Sequence, residues 1–155
     1  MRGIYSIYFT GTSITAPQDL FEVTPADDRP VEIAGLFLSQ ESDVGDAQEE
    51  ILRYNIVRGN STPGSGGVSV TPNKISSTDI SASFTAAINN TAIANGGAPQ
   101  ILHADTFNIR TGLQIWFPPE CSILVRQVET LIVVRLNSTP ADALVMSGTL
   151  YLREL

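Results

Sequence analysis

The stretch Leu144-Val145-Met146-Ser147-Gly148-Thr149-Leu150-Tyr151-Leu152 decides the fold class. Leu144, Met146, Leu150 and Leu152 share one parity, while Val145, Ser147, Thr149, Tyr151 and then Arg153 share the other. Successive side chains of an extended chain point to opposite faces, so this pattern presses an apolar stripe against a core. Runs of similar composition occur at 4–10, 19–24, 31–39, 51–58, 113–117 and 130–136. They are rich in Ile, Val, Leu, Tyr, Phe and Thr, several of which favour a pleated, half-buried surface. Weaker runs lie at 67–70, 80–86 and 101–109, giving about eight to ten short strands separated by turn-forming residues.

This spacing predicts an all-β chain, an antiparallel β-sandwich closed as a jelly roll. The one helical candidate is a short turn at 42–50, where Asp and Glu precede it and no period of 3.6 continues. An immunoglobulin-like sandwich fits less well, because the chain lacks the cysteine pair that flanks a tryptophan in that fold. A single domain over 1–155 is expected, with long loops at 59–79 and 86–99 that leave it and return. No internal repeat and no interdomain linker stand out.

Charged residues make up only 16% of the 155 residues, below the roughly 25% usual for soluble proteins. No apolar run approaches a membrane span, and 1–15 lacks the continuous apolar stretch of a signal peptide. The expectation is a soluble protein made in a cytoplasm, with no membrane partner. The net charge of −7 argues against a phosphate-binding surface, so no nucleic-acid partner is expected. Lys74 is the only lysine against eight arginines, a bias that interfaces share because guanidinium desolvates more readily than ammonium.

The candidate chemistry is sparse. His103 is the only histidine, and Asp105 falls on the same strand face two residues on. A hydrolase needs a nucleophile beside them, and no Gly-x-Ser-x-Gly sequence occurs, so a structural hydrogen bond is the expected role. Cys121 is the only cysteine, which excludes an internal disulfide and a thiolate-rich metal site. Glu41, Asp43, Asp46, Glu49 and Glu50 offer hard oxygen ligands, but their spacing does not match an EF-hand loop and a solvated turn explains them. Gly64-Ser65-Gly66-Gly67 lacks the Lys-Ser/Thr ending of a phosphate-binding loop. Asn60, Asn89 and Asn137 head Asn-x-Ser/Thr triplets that carry little meaning without a secretory signal. The reading is therefore of no enzyme, no cofactor and no metal site.

Some strands are apolar on both faces. Ile132, Val134 and Leu136 alternate with Leu131 and Val133, and Leu36 and Leu38 oppose Ile33 and Phe37. A lone sandwich leaves one such face uncovered, so a partner chain, an interdigitated neighbour or the long loops folding back must cover it. That raises the expectation of a homo-oligomer.

Three stretches then resemble small tailed-phage virion proteins. The first is Ser39-Gln40 with Asp43-Val44-Gly45-Asp46-Ala47, Glu50-Ile51-Leu52-Arg53 and Arg58-Gly59. The others are Phe107-Asn108-Ile109-Arg110-Thr111-Gly112-Leu113-Gln114 with Pro119-Glu120, and Met146 to Tyr151 with Glu154-Leu155. The resemblance covers nearly the whole chain and implies a capsid decoration or cement protein of jelly-roll type. It implies a homotrimer on the outer capsid surface that clamps the phage major capsid protein, and it carries no site residues over. Within that reading, apolar strand faces and arginines hold the oligomer, and loops reach the shell. The expected contacts are Arg58, Gly59, Lys74, Ile132, Val134, Tyr151 and Arg153, with 59–79 as a capsid arm and 1–10 as a strand donated to a neighbour. A second reading is a glycan- or receptor-binding head-fibre or tail-associated module, in which Trp116, Tyr54 and Tyr151 stack on sugars. Against it, Trp116 has apolar neighbours Leu113, Ile115 and Phe117 and is expected in the core. A cupin-like enzyme needs more histidine ligands than the chain has.

Overall fold

A computed structural model describes residues 2–42 and 49–155. Positions 43–48, most of the expected turn at 42–50, lie outside the described residues. The described chain forms twelve strands and two short 3-10 turns, and it is all-β. The strands are β1 (Gly3–Ile14), β2 (Gln18–Thr24), β3 (Val31–Gln40), β4 (Ile51–Arg58), β5 (Val68–Val70), β6 (Asn73–Lys74), β7 (Thr85–Asn90), β8 (Gln100–Asn108), β9 (Leu113–Trp116), β10 (Ile123–Val125), β11 (Ile132–Leu136) and β12 (Leu144–Glu154). Sheet I runs β10-β3-β12-β1-β6, with β9 also on β3; sheet II runs β5-β7-β2-β11-β4-β8.

Strands β9 and β10 share one edge of β3. Leu113 to Trp116 faces Leu38 to Gly35, and Ile123 to Val125 faces Ile33 to Val31. Between them Pro118 and Pro119, which have no N–H to give a ladder, divert the chain into the 3-10 turn Pro119–Cys121. Counted as one interrupted strand, β9/β10 completes a set of nested antiparallel pairs: β1 with β12, β2 with β11, β3 with β9/β10, and β4 with β8. Partners fall alternately in sheet I and sheet II along this ribbon. A folded ribbon of this kind is a jelly roll.

The core lies between the sheets. Leu144, Met146, Leu150 and Leu152 enter it together, as their parity predicts, and meet Tyr5, Ile7, Phe9, Phe21, Leu36, Tyr54 and Val134 among others. In β3 the simple alternation breaks at Ala34, where the register with β12 shifts. The shift brings Ile33 inside with Leu36 and Leu38, and turns Phe37 outward. Strand β1 lies between β12 and β6, so the donated-strand role expected for 1–10 does not fit the structure.

Residues 59–99 interrupt the β4–β8 pair and are not open loops. They contain β5, β6 and β7, which extend both sheets on one side: β6 pairs with β1, and β7 with β2. The turns flanking these strands lie on the outer face of sheet II. There Ala94 packs with Val57, Leu131 and Val133 in a second, small apolar cluster. The outward side of β11 is thus covered by the chain's own insertion.

The turns at 60–67 and 90–97 are also copies of each other. Asn60-Ser61-Thr62 aligns with Asn90-Thr91-Ala92, and Ser65-Gly66-Gly67 with Asn95-Gly96-Gly97, thirty positions on. Thr62 and Asn95 exchange N–H···O=C bonds of 2.9 and 3.0 Å, and Ser65 and Ala92 exchange the equivalent pair at 2.9 and 3.0 Å. The two bridges map onto one another when the copies are swapped. This local two-fold symmetry escaped the sequence reading because only the Asn and the Gly-Gly are identical in the two copies.

Candidate functional site

The outer face of sheet I can be mapped from its register. One row reads Gln114, Phe37, Thr149, Tyr8 across β9, β3, β12 and β1. The next reads Trp116, Gly35, Tyr151, Ser6. Beyond the bulge come Glu32, Arg153 and Ile4. Residues directly opposite across strands lie close enough for their side chains to touch. Four aromatic rings therefore share a surface with an amide and two aliphatic hydroxyls, with one charged pair along a border.

Three of the four rings, Phe37, Trp116 and Tyr151, are locked to each other. Trp116 stacks on Tyr151 with centroids 5.3 Å apart and planes at 28°. Phe37 meets Trp116 edge-on at 5.1 Å and Tyr151 edge-on at 5.7 Å. Trp116 lies over Gly35: a Cβ there would stand 2.5 Å from Cε3 and 2.7 Å from Cζ3 of the indole, so any other residue would push the ring away. Trp116 keeps 61% of its surface exposed and Tyr8 keeps 54%. The expectation that Trp116 belongs to the core is thus overturned. Its parity explains why, since Leu113, Ile115 and Phe117 face the core and Gln114 and Trp116 face solvent. At the border Arg153 Nη1 stands 3.1 Å from Glu32 Oε1.

The other expected contact residues divide. Ile132 and Val134 are each 1% exposed inside the sandwich, so they are core residues and offer nothing to a partner. Arg58 is a strut between sheets: Nη1 donates to the Leu124 carbonyl at 2.7 Å and Nη2 to Gln100 Oε1 at 3.2 Å. Gly59 adopts φ +96°, and a Cβ on it would stand 2.7 Å from the Ala98 carbonyl oxygen, so it serves the start of the insertion. Lys74 is exposed on the short strand β6. Tyr151 and Arg153 lie side by side along β12 on the mapped face.

His103 bonds to Tyr54: Nε2 and the phenol oxygen are 3.0 Å apart. Its ring also meets Phe117 edge-on at 5.4 Å. Asp105 Oδ1 instead accepts the N–H of Thr106 at 2.8 Å, so the His103–Asp105 pair of a triad is not formed. Burial, aided by the nearby Asp105 charge, pushes the Tyr54 hydroxyl up to about 12. Tyr54 lies in the core, so the sugar-stacking role weighed for it does not apply. Cys121 is exposed in the 3-10 turn after the two prolines. In the acidic stretch Asp43 and Asp46 fall outside the described residues, while Glu50 Oε1 accepts the Ala141 N–H at 2.7 Å.

A second surface lies at the far edge of sheet II. Strand β8 pairs with β4 on one side only, leaving its other edge open among the described residues. Ile101 is 63% exposed there, beside the exposed Leu102. Asp105 is the only residue of β8 with a formal charge when His103 is neutral. No family model, no curated protein and no solved structure matches this chain.

Proposed function

We propose that the protein is a structural virion component, a capsid decoration or cement protein that binds the assembled phage shell as a homotrimer and stabilises it. The observation that carries this reading is the open edge of β8. Alternate residues of this nine-residue strand direct unpaired backbone groups outward and two aliphatic side chains are exposed, with none of the Lys or Pro that usually protects an edge strand. Such an edge pairs with a neighbouring strand through main-chain hydrogen bonds, and in a closed ring it meets a different surface of the next copy. Stabilisation follows from mass action, because a ligand that binds only the assembled shell shifts the equilibrium toward that shell. The resemblance to tailed-phage virion proteins supplies the context, and Lys74 remains exposed for shell contacts.

The test is to measure mass by light scattering and binding by co-sedimentation with expanded shells. The expected particle is about three times 16.6 kDa and pellets with shells. The Ile101→Lys, Leu102→Lys double variant should run as a folded monomer and stay in the supernatant. A wild-type monomer that ignores shells overturns the proposal. The receptor-binding reading gains one specific observation, the exposed Trp116 on the outer face of sheet I.

A further inference from the structure

We infer that the outer face of sheet I is a binding site for neutral hexose glycans, with Trp116 as its stacking platform. The inference deepens the receptor-binding reading and is independent of shell binding through β8, which lies at the edge of the other sheet.

The argument begins with how the indole is seated. Glycine at position 35 is the one residue type that lets the ring rest on the sheet, and the stacked Tyr151 and edge-on Phe37 fix it from the sides. A platform held by its own protein needs no ordering when a ligand arrives, which spares the ligand part of the entropic cost of binding. More than half of the Trp116 surface is nonetheless left to solvent, where it gains nothing for folding.

The surroundings select the ligand. Gln114 and Thr149 flank Phe37, Ser6 flanks Tyr151, and Tyr8 flanks Thr149. Among the described residues, no protein group bonds to the side-chain polar atoms of these four. The surface thus offers apolar ring faces and unpaired hydroxyl and amide groups within one strand spacing of each other. A pyranose matches both: its axial C–H face stacks on an aromatic ring, and its equatorial hydroxyls point sideways to donors and acceptors. The two charged groups of the three rows, Arg153 and Glu32, are paired with each other, so the centre carries no net charge. A sialylated or sulfated glycan would find no free cation there, and the preference is for uncharged sugar.

The test uses intrinsic tryptophan fluorescence and calorimetry on the full-length protein with maltohexaose, cellohexaose and laminarihexaose. Trp116 is the only tryptophan, so its emission reports the site directly. At least one oligosaccharide should shift the emission and bind saturably. Calorimetry on Trp116→Ala should show binding weakened by about tenfold or more, with Trp116→Phe between it and wild type. Gly35→Val, which displaces the ring without removing it, should weaken binding as Trp116→Ala does. Far-UV circular dichroism establishes that each variant is folded, and all three should still pellet with shells if β8 makes that contact. No binding to any of the three sugars by folded wild type, or binding that Trp116→Ala leaves unchanged, overturns the inference. Loss of trimerisation or shell binding in folded Trp116→Ala without any sugar effect assigns the face to a protein partner and likewise overturns it.

Discussion

Glu22 shows how much one residue of the outer face of sheet II carries. Its carboxylate Oε2 accepts the Gly64 N–H at 2.8 Å and the Asn90 amide at 3.3 Å, and so holds both copies of the insertion turn. Burial lifts this carboxyl above its usual range; the Gly64 N–H pulls it down, Asp19 pushes it up, and Asn90 and Arg135 pull it down. A raised carboxyl pKa means the folded state holds the proton more tightly than the unfolded state does. Its contribution to stability is full below the unfolded value of about 4.5 and fades as pH rises through the folded value. Glu22→Gln keeps an acceptor for Gly64 and removes the buried charge. The melting temperature of the variant relative to wild type should therefore rise with pH between pH 4 and pH 7, as thermal melts across that range would show. A difference that is flat, or falls with pH, would mean the carboxylate is stabilised where it sits. Neither the partners of Glu22 nor the exposure of Trp116 followed from local sequence. For Trp116 the parity of 113–117 points the indole outward, whereas its apolar neighbours point to the core.

Among the elements, the insertion between β4 and β8 departs furthest from what its sequence predicts. Its Gly, Ser, Thr and Asn content reads as loop, and its own propensities do not hold β5 and β6 in place. Pairing with β7 and with β1 holds those two strands, and side chains from distant strands hold the turn that follows β7. Asp19 of β2 accepts the Ala94 N–H at 2.7 Å, and Arg135 of β11 donates to the Ala94 carbonyl at 2.8 Å, so both main-chain groups of one residue are gripped. Arg135 Nε lies 2.6 Å from Asp19 Oδ1, and Asp19 is fully buried. Removing one member of a buried pair strands the other charge, at a cost of about 3–5 kcal/mol. Arg135→Ala should lose roughly that much in urea unfolding, and the Asp19→Asn, Arg135→Met pair should lose clearly less, since Asn still accepts from Ala94. Equal losses would mean that Arg135 acts through packing alone. The reading of 130–136 as a strand buried on both faces was correct at this scale; its outer face is covered by Ala94, almost forty positions away in sequence and held there by Asp19 and Arg135.

At the scale of the molecule, the alternation in each run was enough for an all-β sandwich, and eight antiparallel strands in this length left few ways to close it. The nested pairing itself is long-range and invisible to local pattern. The insertion adds to this frame without being part of its topology, because Arg58 and Gln100 already face each other as a hairpin end. Replacing 59–99 by Asn-Gly closes that hairpin with a turn suited to a two-residue connection. The eight-strand ribbon would lose Phe84 and Ala86 from its main core, Val57, Leu131 and Val133 would lose their cover, and β1 and β2 would become open edges. Burying a Val or Leu side chain contributes roughly 1.5–3 kcal/mol, so three bared together favour association over exposure. The shortened chain should show β-rich circular dichroism but elute as a larger or polydisperse species than wild type on light scattering. A shortened chain that matched wild type in melting temperature and mass would make the insertion dispensable to the fold. The covered face of β11 would then count for nothing in keeping the chain from associating through it.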